Sequence, residues 1–156
     1  MRKFLAVVVL LLVVVPSAYA EDAFDKQVNI GRDRSGMTWW LVDYGMNGST
    51  PYAVARKYYT GEAGRTETVE ILTSRYSVKP KRANALYFTE YRYEYTADNE
   101  RVAEAYRKHY DMNGKLIMGL EFDGRSSSTE RTYVNVMKNT IQSKGLAYAT
   151  GKLRKK

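Results

Sequence analysis

The chain has no cysteine, one histidine and three prolines among its 156 residues, and only one long apolar run. Without cysteine there is no disulfide, no thiol nucleophile, no thiolate metal site and no residue to carry the lipid of a lipoprotein. With His109 as the only histidine, a metal centre would have to be assembled from carboxylates alone, so a structural or surface role is expected for it. No Gly-x-Ser-x-Gly elbow and no glycine-rich phosphate loop occurs, which removes the common signatures of serine hydrolases and nucleotide-binding proteins. No cofactor and no metal site is expected.

The apolar run, Phe4 to Val15, is twelve residues long, short of the roughly 20 that a helix needs to cross a bilayer. Arg2 and Lys3 precede it, and Pro16, Ser17 and the small-residue frame Ala18-Tyr19-Ala20 follow it. That order is the order of a cleavable secretory signal peptide, so cleavage after Ala20 is expected. The product would be an exported protein of the periplasm or the extracellular cell surface, with no transmembrane anchor after cleavage. Removing residues 1–20 takes two bases and no acid from totals of 25 and 17, which leaves a net charge of +6 on 136 residues. A chain of that size can bury a core without disulfide staples.

The remainder divides into a loose polar lead-in at 21–37, one β-rich domain with a C-terminal helix at 38–146, and a basic tail at 147–156. Short segments rich in Trp, Tyr, Val and Thr alternate with Gly, Asn, Pro and Ser, the habit of consecutive antiparallel strands. Strands are expected at Thr38–Tyr44, Tyr52–Tyr59, Thr66–Val78 and Ala85–Thr96, with a charged loop at Lys79-Pro80-Lys81-Arg82. Residues 101–111 fit helical offsets, but Asn113-Gly114 signals a hairpin with Leu116, Met118, Leu120 and Phe122 alternating beyond it, so a strand is preferred there. Ser127 and Glu130 have the spacing of a capping box, and Tyr133, Val136, Met137, Thr140 and Ile141 make a helical stripe that ends at Lys144-Gly145. The fold class is therefore α+β: an antiparallel meander of about six strands with one C-terminal helix packed on it.

Candidates for chemistry are few. Glu90 and Glu94 share a strand face, but Arg92 between them points to a solvated charge ladder rather than a glycosidase pair. Ser126-Ser127-Ser128 suits a helix cap better than a nucleophile, and the calcium-loop pattern begun at Asp111 stops after Gly114. A non-enzymatic protein is the preferred reading.

Tyr87, Tyr91, Tyr93 and Tyr95 alternate along one strand and point to one face, with Tyr44, Tyr52, Tyr58 and Trp40 as candidate neighbours. Such a surface suits sugars, peptides or another subunit; burial beneath the terminal helix is the favoured alternative. The bases cluster at Lys79, Lys81 and Arg82 and in the tail, a footprint for anionic partners, although a solvated surface explains most of the scatter. Nucleic acid is not an expected partner, because no ribonucleoprotein motif is present.

Three segments carry a resemblance: Ile30-Gly-Arg-Asp-Arg-Ser-Gly-Met-Thr-Trp-Trp-Leu-Val-Asp43, Leu86-Tyr-Phe-Thr-Glu-Tyr91, and Tyr110-Asp-Met-Asn-Gly-Lys-Leu116. Together they resemble the surface-adhesin protein E group of small exported bacterial proteins, over roughly residues 28–145. The resemblance implies an antiparallel sheet with a C-terminal helix, dimerisation, and binding to host matrix or serum proteins. The chain departs from that group in lacking its cysteines. The functional expectation is a binding or adhesion domain of the bacterial cell envelope, with Tyr87, Tyr91, Tyr93, Tyr95, Lys79, Lys81 and Arg82 as the candidate surface. Its partner would be a protein or anionic polymer of the envelope or host surface. The alternative is a structural or assembly module that forms a homodimer or docks on an envelope complex.

Overall fold

The computed structural model describes residues 27–154. The expected signal peptide lies outside the described residues, as do the first part of the lead-in and the last two residues of the tail.

Seven strands form one antiparallel sheet, curled into a half-barrel. They are β1 (Val28–Arg32), β2 (Thr38–Asn47), β3 (Thr50–Tyr58), β4 (Leu86–Tyr95), β5 (Arg101–Asp111), β6 (Leu116–Glu121) and β7 (Val134–Asn135). The first six are neighbours in chain order, and β7 pairs with β5 beyond β6's reach. The fold is α+β, a meander with a C-terminal helix. The helices are α1 (Glu62–Ser74), α2 (Pro80–Ala83) and α3 (Ile141–Ala149).

Pairing sorts the side chains into two faces, because partners across an antiparallel ladder point the same way. Leu41, Ala55, Tyr91, Arg107 and Leu120 form one row of the concave face, and Trp39, Lys57, Thr89, His109 and Met118 form the next. Helix α3 seals one end of that face, where Leu146 joins Ile30, Leu41, Ala53, Tyr93, Tyr95 and Val102. Helix α1 seals the other, where Leu72 joins Met37, Tyr59, Leu86 and Ile117.

The lead-in is not loose throughout. Its residues 28–32 form the edge strand β1, and Lys144 of α3 donates to the Ile30 carbonyl, tying this strand to the last helix.

The strand expected at Thr66–Val78 is instead α1 and the turn after it. Its β-branched threonines suggested a strand, yet Thr66, Thr68 and Thr73 each return a hydroxyl hydrogen bond to the carbonyl four residues back. That bond makes threonine tolerable in a helix. Val69 and Leu72 then fall on one helical stripe, with Leu72 fully buried, and Tyr76 joins the same cluster from the turn beyond the helix. Pro80 opens the short α2, whose Arg82 donates to the carbonyls of Leu116 and Ile117 on β6. Segment 79–82 is therefore a seated helical turn rather than a free loop.

The terminal helix exists but is capped thirteen residues late, at Thr140 instead of Ser127: Ser127–Thr129 is a single 3-10 turn, β7 follows, and α3 starts at Ile141. Its cap is Thr140, whose Oγ1 accepts from Ser143 N–H at 3.1 Å while Ser143 Oγ accepts from Thr140 N–H at 3.1 Å. Lys144 and Gly145 lie inside the helix rather than at its stop. The bare Gly145 backbone sits against the sheet: a Cβ there would stand 2.8 Å from the Tyr95 hydroxyl and 2.9 Å from the Ala53 Cβ. Small residues at 53, 55 and 145 thus set how closely α3 approaches.

Candidate binding surface

The alternation of β4 is real but is broken by register shifts between Leu86 and Phe88 and between Arg92 and Tyr93. Such bulges re-aim side chains. Tyr91, Tyr93 and Tyr95 point into the concave face, where the tyrosine surface is largely covered. Tyr95 is 2% exposed and donates to the Gln142 carbonyl of α3 at 2.7 Å, and Tyr93 is 6% exposed. Burial holds the hydroxyls of both well above the usual phenol range. Tyr91 is half-buried, stacked between Trp39 and Tyr93, with the Arg107 guanidinium over its ring.

Tyr87 separates from the other three. At the first register shift it packs edge-on against Tyr58, with ring centroids 5.8 Å apart, and it remains 46% exposed. Trp40, Tyr52 and Tyr58 belong to this convex side, and Tyr44 to the concave side, where its ring meets Tyr148 of α3. The four tyrosines expected on one face are therefore divided between two. A period of two cannot show a bulge.

Two clefts meet at Tyr87. One, of about 380 Å³, is lined by Gln27, Thr38, Trp40, Tyr58, Thr60 and Tyr87. The other, of about 520 Å³, shares Thr60 and Tyr87 and adds polar groups from Arg65, Asn84, Asp111 and Asn113. Lys79, which caps α2, and Lys81 within it are exposed a few residues before Tyr87 in the chain, and the exposed Arg82 is engaged by the β6 carbonyls. Of the seven candidate residues, Lys79, Lys81, Arg82 and Tyr87 are exposed, Tyr91 is half-buried, and Tyr93 and Tyr95 are buried.

The candidates for catalysis are engaged in other ways. Glu90 pairs with Arg56 at 2.8 Å and accepts from the Tyr106 hydroxyl at 2.9 Å, and Glu94 pairs with Arg92 and Arg131. Asp111 Oδ1 accepts from the backbone N–H groups of Asn113 and Lys115, which builds the hairpin turn. His109 is 4% exposed, its Nδ1 lies 2.8 Å from the Thr89 hydroxyl, and Thr89 continues to Tyr59. Burial, with the charge of Arg107 adding to it, pushes His109 down to about 4. Among the described residues no three His, Asp or Glu side chains converge in a way that would hold a metal ion.

The motifs behind the resemblance also have a physical role in this fold. Asp33 Oδ1 accepts from the N–H groups of Ser35 and Met37, and Oδ2 accepts from the Trp39 indole at 2.9 Å with Lys57 Nζ at 3.3 Å. Gly36 and Gly114 take φ of +76° and +73° in the two turns that Asp33 and Asp111 organise, a conformation open to glycine. Burial opposes the charge on Asp33, but the Trp39 and Met37 hydrogen bonds and Lys57 outweigh it and hold the carboxyl below its usual range. Both motifs build turns here, and their segments also reach the clefts, Thr38 and Trp40 lining the first and Asp111, Met112 and Asn113 the second. Compared with known proteins, the chain matches no family model, no curated protein and no solved structure.

Proposed function

We propose that this chain is an exported, non-enzymatic binding or adhesion domain of a bacterial envelope, and that it engages its ligand through the Tyr87 end of the sheet. The observation that carries this reading is an exposed aromatic side chain at the junction of two clefts, flanked by Tyr58 and Trp40. Solvent-exposed aromatics beside concave surface are where contact area and orienting hydrogen bonds come together. Lys79 and Lys81 add long-range attraction for a protein or anionic polymer of the envelope or host surface. Export is supported by the charge, apolar run and Ala-x-Ala frame of residues 1–20, and among the described residues no helix is long and apolar enough to cross a membrane.

Retention of the purified protein on envelope fractions tests the reading. Tyr87→Ala should reduce retention at least tenfold, and Lys79→Ala with Lys81→Ala should reduce its salt dependence. Equal retention of Tyr87→Ala and the parent would refute it.

The second reading, an assembly module that forms a homodimer, is favoured by a different feature: Tyr133, Val134 and Met137 expose apolar surface beside the β7 edge. Sedimentation distinguishes the two, since a dimer dissolved by Val134→Lys and indifferent to Tyr87→Ala would place the interface there.

A further inference from the structure

The part of the ligand that the clefts themselves hold, as distinct from the charge that Lys79 and Lys81 attract, can be narrowed from their lining, an inference that rests on the binding function proposed above. The chain carries 25 Lys and Arg and 17 Asp and Glu, yet among the described residues the cleft around Trp40 has no charged residue in its wall. Three aromatic rings and the side chains of Gln27, Thr38 and Thr60 line it instead. An anionic group placed there would be desolvated with no countercharge, which disfavours it, and the chain's surplus of bases weighs against a cationic ligand. A purely apolar ligand would leave the two hydroxyls and the amide without partners. The chemistry that meets both demands is a pyranose, whose axial C–H face lies on an aromatic ring while its equatorial hydroxyls reach donors and acceptors at the ring edges.

The second cleft extends the argument. It continues from the same Tyr87 and Thr60 but changes character, lined by two amides, two carboxylates and a guanidinium from Asn84, Asn113, Glu62, Asp111 and Arg65, the last donating to the carbonyls of Leu86 and Asn84. Fixed planar side chains of that kind suit the hydroxyl pairs of a sugar. We infer that the two clefts are consecutive subsites for an uncharged oligosaccharide chain that crosses Tyr87, with ring stacking at Trp40 and Tyr58 and hydroxyl recognition beyond Tyr87.

Titration of the purified protein with chito-, cello- and malto-oligosaccharides, followed by tryptophan emission and calorimetry, tests this. Trp39 is buried and its indole is held by Asp33, so an emission change on binding should come from Trp40 and should vanish in Trp40→Phe. Saturable binding by at least one series, weakened tenfold or more in Tyr87→Ala and in Tyr58→Ala and nearly insensitive to salt, is the expected result. Thermal melts matching the parent show that the variants are folded. Binding that Tyr87→Ala leaves unchanged would overturn the inference, as would binding abolished by salt. Should no oligosaccharide bind while envelope retention still depends on Tyr87, the sugar inference falls and the binding function stands. Should retention be indifferent to Tyr87 as well, both fall.

Discussion

Gly145→Ala probes how α3 is seated on the sheet. The added methyl would lie 2.8 Å from the Tyr95 hydroxyl and 2.9 Å from the Ala53 Cβ, so the helix or the tyrosine must shift. Overpacking of this kind costs about 1–3 kcal/mol. Displacing Tyr95 also weakens its 2.7 Å bond to the Gln142 carbonyl, worth about 1 kcal/mol. Against these stands the helix propensity gained by replacing glycine with alanine, about 1 kcal/mol. The net expectation is destabilisation by about 1–3 kcal/mol, or about 3 °C in Tm for each kcal/mol in a domain of this size. Urea and thermal unfolding of the parent and the variant measure it. Combining Gly145→Ala with Tyr95→Phe removes the oxygen from the closest contact, so the double variant should lose less than the sum of the single losses. A Gly145→Ala protein as stable as the parent or more so would refute the close approach, because propensity would then be the only term in play.

Other perturbations address the polar part of the concave face and the sheet edge. Asp33→Asn should cost about 1–3 kcal/mol at neutral pH by leaving Lys57 without its partner, and should change the emission of Trp39. Since the folded-state carboxyl is held below its usual range, that contribution is present above the unfolded value of about 3.9 and fades as pH falls below it. His109 acts in a separate window: with a folded value of about 4 against 6.5 unfolded, its contribution is complete above 6.5 and is lost as pH falls toward 4. The loss is about 3 kcal/mol at most, and His109→Gln should flatten the urea midpoint between pH 7 and 4.5. Arg82→Ala uncovers the carbonyls of Leu116 and Ile117 on β6; it should lower stability by about 1–2 kcal/mol and raise self-association in light scattering, as open strand edges do.

What could be read from the amino acids was what depends on neighbours in the chain. The Asn113-Gly114 hairpin outweighed the helical offsets of 101–111, and β5 is a strand over those residues. The antiparallel meander and the presence of a final helix follow from the same local signals. The failures share a different cause. Residues 66–74 looked like a strand because threonine favours one, and only the hydroxyl-to-carbonyl bonds within α1 reverse that preference. The stripe at 133–141 looked helical, yet Val134 and Asn135 are recruited as a strand by the open edge of β5 at Arg101 and Val102. Gly145 read as a helix stop, although its reason is a contact with Tyr95 and Ala53 on distant strands. At the candidate site the aromatic residues were legible, but their division between faces was not, since it is set by register shifts between strands.

The bond from Lys144 to the Ile30 carbonyl joins residues 114 positions apart, and Leu146 completes the cluster that contains Ile30, Leu41 and Ala53. A chain synthesised from its N-terminus therefore cannot finish this part of its interior until Leu146 has appeared. Such late closure of distant pairs raises contact order and slows folding. If the molecule is exported as proposed above, that delay would be an asset: the emerging polypeptide would stay threadable while it passed a translocation channel, and it would lock only after α3 had followed.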